Sequence, residues 1–154
     1  MFLNNQFPTE EHRRDNYLIS TDANLLNIDV IHDYLANQSY WAQGVAIDIV
    51  ARSLRFSLCF GVYKVEKNHF HTQVGLARVI SDFATFAYLS DVFILPAHQG
   101  QGLGKWLVDS ILVHPAFETL RKFTLDTKDA HELYKKFGFI IDPIPNTHMV
   151  FRPK

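Results

Sequence analysis

The sequence has a single cysteine, Cys59, among 154 residues. The chain can therefore form neither an internal disulfide nor a cluster of thiolate metal ligands. Cys59 lies in the apolar run 58–63, where we expect a buried and unreactive thiol. The eight histidines are scattered, and none are paired at the i, i+4 spacing of a helical metal site. No metal site is predicted.

The sequence also lacks an excess of one charge and a long apolar run. A formal net charge of -1 provides no basic field for a polyanion, so we predict no nucleic-acid partner. No apolar run is long enough to cross a bilayer, so we predict no membrane partner. Residues 1–16 are mostly polar and carry both charge signs, unlike a secretory signal. A cytoplasmic protein is expected.

What the sequence does contain suits one folded domain. Hydrophobic residues make up 47% of the chain and aromatic residues 14%, which suggests a large core. A length of 154 residues is close to that of a single domain. We predict one domain over residues 1–154, with residues 1–15 as a loose N-terminal arm.

Apolar periodicity predicts a mixed α/β (α+β) fold. Helical spacing recurs at Ile28, Ile31 and Leu35, and again in the segments 47–54, 103–111 and 130–137. Short or continuous apolar runs predict strands. The predicted strands are 17–20, 58–65, 74–80, 89–95, 123–125 and 149–151.

A glycine-rich segment, 99–105, follows the predicted strand 89–95 and leads directly into a helix. Closely spaced glycines at a helix start expose backbone N–H groups, which favour a phosphate at the positive end of the helix dipole. Lys105 adds a cation. The glycines alone also fit a plain turn. The spacing fits neither the dinucleotide fingerprint nor the nucleotide-triphosphate loop, in which Ser or Thr would replace Trp106.

Two motifs resemble the GNAT family of N-acetyltransferases. Gln99-x-x-Gly102-x-Gly104 after an apolar strand is similar to the coenzyme A signature of that family. The second motif, 130–139, reads Ala-x-x-Leu-Tyr-x-x-x-Gly-Phe. The resemblance covers residues 74–139. It implies the GNAT fold: a central, largely antiparallel twisted sheet of six to seven strands, flanked by about four helices and splayed at the cofactor-binding strand.

The resemblance implies that acetyl-CoA is the cofactor and that an amine attacks it directly. Main-chain groups of three strand residues would pair with the pantetheine arm, namely Val92, Phe93 and Ile94. Backbone N–H groups would hold the pyrophosphate, namely those of Gln99, Gly100, Gln101, Gly102, Leu103, Gly104 and Lys105. Tyr134 would be the general acid for the departing thiolate, with a core aromatic as the alternative. Thr127 stands where the family often has Asn.

Asp91 is conspicuous because it lies in an apolar strand, where an unpaired carboxylate is costly. Three roles remain open for it. It could take a proton through water, orient the substrate ammonium, or pair with Arg78 on the preceding strand. Relatives often carry Glu earlier in this strand, whereas residues 88–90 here are Tyr, Leu and Ser.

The acceptor region is expected at Tyr40, Trp41 and Arg78. Trp41 would either form a wall of the acceptor pocket or pack in the core. The aromatic pair favours a small-molecule amine over a protein or peptide acceptor. A non-catalytic acyl-CoA-binding sensor is the alternative of a different class. A homodimer paired through the C-terminal strand would be typical of the family.

Overall fold

Six strands form one sheet, in the order in which they occur along the chain. The computed structural model describes residues 7–153. Neighbouring strands are antiparallel except the last pair, which is parallel. This is the mixed, largely antiparallel sheet that was predicted. The strands are β1 (Glu11–Arg14), β2 (Tyr17–Ser20), β3 (Leu58–Val65), β4 (His71–Ser81), β5 (Phe86–Ile94) and β6 (Lys122–Leu125).

Four α-helices flank the sheet within the described residues. Asn27 starts the first of them, because its side chain accepts hydrogen bonds from the N–H groups of Asp29 and Val30. A π-helical turn, Tyr34–Gln38, continues that helix directly. The helices are α1 (Ile28–Asp33), α2 (Ile47–Arg55), α3 (Leu103–Leu112) and α4 (His131–Lys135).

The sheet buries both of its faces, as the continuous apolar run of β3 predicted. The β3 residues Leu58, Phe60 and Val62 pack in one hydrophobic cluster, which includes Leu107 of α3. Cys59 packs in a second cluster with Leu54 of α2 and Ile31 of α1. The alternation follows from the two-residue period of a strand. The sheet is therefore covered by α1 and α2 on one side and by α3 and α4 on the other.

Two predictions at the chain ends are corrected by the structure. Glu11–Arg14, assigned to a loose arm, pairs with β2 as a strand. The predicted last strand, 149–151, is not a strand, and its side chains are 61–92% exposed. Residues 1–6 of the predicted arm lie outside the described residues, and the single-domain boundary 1–154 stays a prediction. No helix within 7–153 is long and apolar enough to span a bilayer.

Candidate active site

The parallel strands β5 and β6 separate halfway along β5. They pair only from Phe86 opposite Lys122 to Leu89 opposite Leu125. β6 ends there, whereas β5 continues along β4 to Ile94. In the described part of the chain, the second half of β5 therefore has a free edge facing a gap. The predicted splay of the sheet is confirmed at this position.

The free edge presents the main-chain groups of alternate residues. The N–H of Leu95 donates to a β4 carbonyl at 2.8 Å. Successive residues of a strand direct their N–H and C=O groups to opposite sides, so Phe93 also faces β4, whereas Val92 and Ile94 face the gap. The Ile94 carbonyl accepts a hydrogen bond from the Gln99 side chain at 2.9 Å. Phe93 is thus out of position for the backbone contact predicted for it.

A β-bulge interrupts the pairing of β5 with β4. Leu76 lies opposite Phe93, and Arg78 lies opposite Ser90. Between these two pairs β5 advances by three residues and β4 by two, so β5 contains one extra residue. Asp91 lies in this bulged segment of β5, with a φ of 51°. A side chain held in this left-handed region costs about 1–3 kcal/mol. Bulges re-aim side chains and are frequent beside active sites.

Two donors hold the Asp91 carboxylate. Oδ2 accepts from Arg78 Nε at 2.8 Å, and Oδ1 accepts from Trp41 Nε1 at 2.9 Å. The side chains of Arg78 and Asp91 are only 13% and 9% exposed. The guanidinium also donates to the hydroxyls of Ser57 and Ser90 at 3.0 and 3.3 Å. Of the three roles considered for Asp91, pairing with Arg78 is present as a contact.

A row of aromatic rings leads from β5 to the loop 39–46. The Tyr34 ring stacks on Phe93, with centroids 4.0 Å apart and planes 9° apart. Trp41 lies 6.3 Å from Tyr34, and Tyr40 meets Trp41 edge-on at 5.0 Å. Tyr40 and Trp41 are 47% and 41% exposed. Trp41 is therefore a surface residue beside Asp91 and is not part of the buried core.

Tyr34 was not singled out from the sequence. It begins the π-helical turn, which is closed by the Ser39 N–H donating to the Tyr34 carbonyl at 2.9 Å. A turn of this kind inserts an extra residue into a helix and is frequent at functional sites. Apolar spacing at the 3.6-residue period gave no sign of it. The only available signal was the nearness of Tyr34 to the aromatic residues Tyr40 and Trp41.

Tyr134 is buried in α4, as its core-aromatic alternative predicted, and its role as general acid stays a prediction. The side chain is 7% exposed and belongs to the core cluster under α3. Burial raises the pKa of its phenol to about 12, with smaller contributions from Tyr40 and Asp129. The phenol therefore keeps its proton at neutral pH.

The segment after β6 is tied to both sides of the gap. Tyr88 on β5 donates to Asp126 Oδ2 at 2.8 Å, just beyond the end of β6. The Lys128 N–H donates to the Tyr40 hydroxyl at 3.0 Å, so the aromatic loop reaches the same segment. Thr127 accepts from the N–H of the residue before α4 at 3.0 Å and thereby organises the start of the helix. The sequence gave no signal for the Tyr88 and Asp126 pair.

The glycine segment lies at the N-terminus of α3. Gly100 and Gly102 have φ of 78° and 77°, and Gly102 is the N-cap without a side-chain cap. The first internal bond of the helix runs from Trp106 N–H to the Gly102 carbonyl at 3.0 Å. The N–H groups of Leu103, Gly104 and Lys105 therefore precede the helical ladder and have no acceptor in it. The unpaired N–H groups that the sequence predicted at this helix start are therefore present, and anion binding by them stays a prediction.

The two glutamines of the segment hold the loop itself. The N–H of Gln99 donates to the Pro96 carbonyl at 3.3 Å. This N–H was predicted to contact the pyrophosphate, but it already has an acceptor within the loop. The Gln101 side chain donates to the Tyr17 hydroxyl on β2 at 3.3 Å. Arg14 Nη2 on β1 donates to the Gln101 carbonyl at 3.2 Å. The hairpin of β1 and β2 therefore supports the glycine segment, which the arm prediction missed.

Cys59 stands apart from this site, and the described residues offer no metal-binding cluster. Burial raises the pKa of the Cys59 thiol to about 12, as expected for an unreactive cysteine. Within residues 7–153, no group of three or more His, Cys, Asp or Glu side chains is arranged to hold a metal ion. The chemistry available at the gap is that of backbone N–H groups, phenols and one paired carboxylate.

Comparisons with known proteins identify the family. Residues 58–141 match the model of the acetyltransferase (GNAT) domain. A Gibberella zeae protein assigned as an acetyltransferase is 36% identical over 140 residues, covering 80% of this chain and 78% of that protein. A crystal structure from Xanthomonas campestris pv. campestris, assigned to the GNAT family, is 42% identical with a TM-score of 0.84, covering 92% and 96% of the two chains.

A more distant structure bears on the fold alone. A GNAT family acetyltransferase from Elizabethkingia anophelis, crystallised with acetyl-CoA bound, has a TM-score of 0.58 at 18% identity, covering 88% of this chain and 86% of its own. The family-model match spans more than half of the chain, and the Gibberella zeae relative aligns along most of it. The chain belongs to the GNAT family of acetyltransferases and is an acyltransferase.

Proposed function

We propose that the protein transfers the acetyl group of acetyl-CoA to a primary amine of a small molecule, by direct attack within a ternary complex. The observation that carries the proposal is the gap between β5 and β6, which leads to the bare N-terminus of α3. An extended pantetheine arm fits a free strand edge, and phosphates fit a helix N-terminus. The acetyl-CoA bound to the Elizabethkingia anophelis relative is consistent with this donor.

The residues in position to hold the donor fall into two groups. Val92 and Ile94 direct backbone N–H groups into the gap by strand alternation. The first turn of α3 and its preceding glycines offer N–H groups for the pyrophosphate, with Lys105 adding charge. Arg14, which sequence analysis did not include, adjoins this second group. The proposed pyrophosphate residues are Gly100, Gln101, Gly102, Leu103, Gly104 and Lys105.

The chain can assist two stages of the transfer. Acetyl-CoA supplies an activated thioester to the attacking amine. A backbone N–H of Val92 or Ile94 can polarise the thioester carbonyl, as in an oxyanion hole. The departing thiolate has a reference pKa of about 8.5, and the protonated phenol of Tyr134 can donate a hydrogen bond to it. The raised pKa of the phenol disfavours complete proton transfer in the ground state. Binding both reactants in one orientation removes much of the entropic barrier.

The acceptor is proposed to approach from the side of the aromatic loop. Tyr40 and Trp41 wall this side, and the loop is closed onto Lys128. A wall joined to the opposite segment favours a small amine over a protein tail. Arg78 uses three of its five N–H donors on Asp91 and two serines, and its side chain is only 13% exposed. We therefore propose that it positions Asp91 and does not itself bind the acceptor.

A second candidate function is acyl-CoA binding without transfer. The observation that favours it is the engagement of both Asp91 oxygens, which leaves no free carboxylate at the centre of β5. A thiol-release assay with acetyl-CoA and a panel of primary amines separates the candidates. Turnover on a small amine supports the proposal. Tight acetyl-CoA binding with no turnover on any small amine or peptide supports the sensor, and turnover on peptides alone supports a protein acceptor.

Homodimer formation and a cytoplasmic location remain predictions. The exposed apolar residues of the C-terminal segment, Met149 and Phe151 among them, are consistent with an interface between two copies. Light scattering of the purified protein would measure the mass in solution. Cell fractionation would test the location.

A further inference from the structure

A cation from β1 lies beside the proposed phosphate site. Arg14 Nη2 donates to the Gln101 carbonyl at 3.2 Å. Its guanidinium carbon lies 4.7 Å from the centroid of the Trp106 ring. A Cβ placed on Gly102, the N-cap of α3, would lie 3.9 Å from Arg14 Nη2. The guanidinium is therefore adjacent to the first turn of α3.

Two contacts hold the Arg14 guanidinium without neutralising it. Trp106 provides a flat ring for it, and the Gln101 carbonyl accepts one of its five N–H bonds. Among the described residues, Arg14 has no carboxylate within ion-pair distance. The neighbouring Arg13, by contrast, pairs with Glu11 at 3.2 Å. Arg14 keeps its charge and most of its donors for a further partner.

The start of α3, beside Arg14, is positively charged. The positive end of the α3 dipole is at Gly102, and the first turn contains no acidic residue. Lys105 in the same turn adds a second cation. Such an arrangement is unfavourable when empty and favourable with an anion, because each element repels the others and attracts negative charge.

We propose that Arg14 binds a phosphate group of coenzyme A, which makes the β1 strand part of the cofactor site. The inference rests on the proposed function, since it takes coenzyme A as the ligand. A guanidinium fits phosphate because its planar donors can form two parallel hydrogen bonds. The ring of Trp106 holds that plane beside the glycine segment. Coenzyme A carries both a pyrophosphate and a ribose 3′-phosphate, and either can supply the negative charge.

Calorimetric titration of coenzyme A into the wild-type protein and three variants tests the proposal. Arg14→Ala is expected to weaken coenzyme A binding at least tenfold and to reduce its dependence on salt, because one screened charge pair is lost. Arg14→Lys is expected to be intermediate, since it keeps the charge without the planar fork. Arg13→Ala is the matched control, because adjacent strand residues point to opposite faces, and its affinity is expected to be unchanged.

Shorter ligands show which phosphate is bound. If Arg14→Ala weakens coenzyme A binding but leaves dephospho-coenzyme A binding unchanged, Arg14 binds the 3′-phosphate; if it weakens both, Arg14 binds the pyrophosphate. Pantetheine, measured by NMR titration, has no phosphate, so its affinity is expected to be unchanged. An equal loss for pantetheine would overturn the proposal, because Arg14 would then only support the loop.

Failure of this inference is distinguishable from failure of the proposed function. If the wild-type protein binds coenzyme A and Arg14→Ala binds it within twofold with the same salt dependence, Arg14 has no part in the site. If the wild-type protein does not bind coenzyme A at all, the proposed function and this inference both fail. Thermal unfolding of Arg14→Ala, expected near the wild-type value, shows whether β1 remains in place.

Discussion

Arg78 on β4 and Asp91 on β5 form an ion pair across the β-bulge, with Nε and Oδ2 2.8 Å apart. The pair lies where Asp91 adopts a left-handed φ of 51°. Trp41 donates to the other carboxylate oxygen at 2.9 Å. One side chain therefore links the bulge, the neighbouring strand and the aromatic loop. These contacts suit a positioning residue better than a free base.

Replacing Asp91 with Asn is the first test. Asn keeps a side-chain oxygen but removes the charge that balances Arg78, so the free energy of unfolding should fall by about 2 kcal/mol. Turnover should fall less than tenfold, and the acidic limb of the pH–rate profile should keep its midpoint. Denaturant titration and steady-state kinetics measure these quantities. Ser90→Ala, which loses only the hydroxyl contact of 3.3 Å to Arg78, is the control.

A different outcome would make Asp91 catalytic. If Asp91→Asn unfolds like the wild-type protein and binds acetyl-CoA as tightly, yet loses nearly all turnover together with the acidic limb, Asp91 is the base. The positioning account would then be wrong.

Tyr134→Phe should separate the two descriptions of this tyrosine. The ring stays in the core, so thermal stability and acetyl-CoA affinity should change little. Loss of the proton donor should lower kcat by roughly a hundredfold or more. Because the pKa of the phenol is about 12, Tyr134 should contribute no basic limb to the wild-type profile below about pH 11. An unchanged kcat in Tyr134→Phe would leave Tyr134 as a core residue only.

Trp41→Ala should act on the acceptor and not on the donor. Removing an exposed aromatic wall should raise the KM of the amine several-fold and leave acetyl-CoA affinity unchanged. Trp41→Phe should keep much of the wall while losing the hydrogen bond to Asp91. Phe70→Ala is the matched control, because Phe70 is 67% exposed and lies at the β3–β4 turn. Equal KM values for Trp41→Ala and the wild-type protein would place the acceptor elsewhere.

His114 should make the fold sensitive to acid. Its ring is 4% exposed, and burial lowers its pKa from the ordinary 6.5. The unfolded chain therefore binds a proton at a higher pH than the folded one, and the free energy of unfolding should fall as the pH drops below about 6.5. Above about pH 7.5 this group should contribute no slope. Denaturant titrations from pH 8 to pH 5 measure the effect.

His114→Asn isolates that contribution. Asn retains an oxygen that can replace His114 Nδ1 as the acceptor for the Ala116 N–H. The variant should be less stable at pH 7.5, because it loses the ring contacts with Phe60 and Phe117. Its stability should change less between pH 7.5 and pH 5.5 than that of the wild-type protein. The exposed His148 provides the control His148→Asn, and equal slopes for all three proteins would contradict the assignment.

The sequence predicted those strands and helices whose own residues form a clear apolar or glycine pattern. The continuous apolar run 58–65 became β3, and the glycine segment became the N-terminus of α3. Strand β1 was missed because Glu11–Arg14 is a polar edge strand with no apolar alternation. The apolar residues 149–151 predicted a strand, but strand formation needs a partner that local sequence does not specify.

Site residues could be predicted only where the residue type and its local spacing indicate the function. The spacing of Gly100, Gly102 and Gly104 indicated an anion site, and Tyr134 lay in a recognisable motif. The bulge at Asp91 arises in the pairing of β4 with β5, and the contact of Arg14 with Gln101 joins segments far apart in the chain. Pairings of this kind depend on strand register, which one sequence does not reveal.

Gly104 offers the most direct test of the central claim, that the N-terminus of α3 binds the phosphates of acetyl-CoA. A Cβ at Gly104 meets open space, and its φ is not positive, so side chains are tolerated there. Gly104→Ala should fold at least as stably as the wild-type protein, because Ala favours a helix by about 1 kcal/mol. Gly104→Gln and Gly104→Glu have nearly the same shape and differ in charge.

The measurement is the dissociation constant of acetyl-CoA for the Gln and Glu variants, determined by calorimetry in the same buffer. The carboxylate would repel the pyrophosphate across the first turn of α3. The account predicts that Gly104→Glu binds at least tenfold more weakly than Gly104→Gln, with the difference shrinking at high salt. Equal and wild-type affinities for the two variants would contradict it.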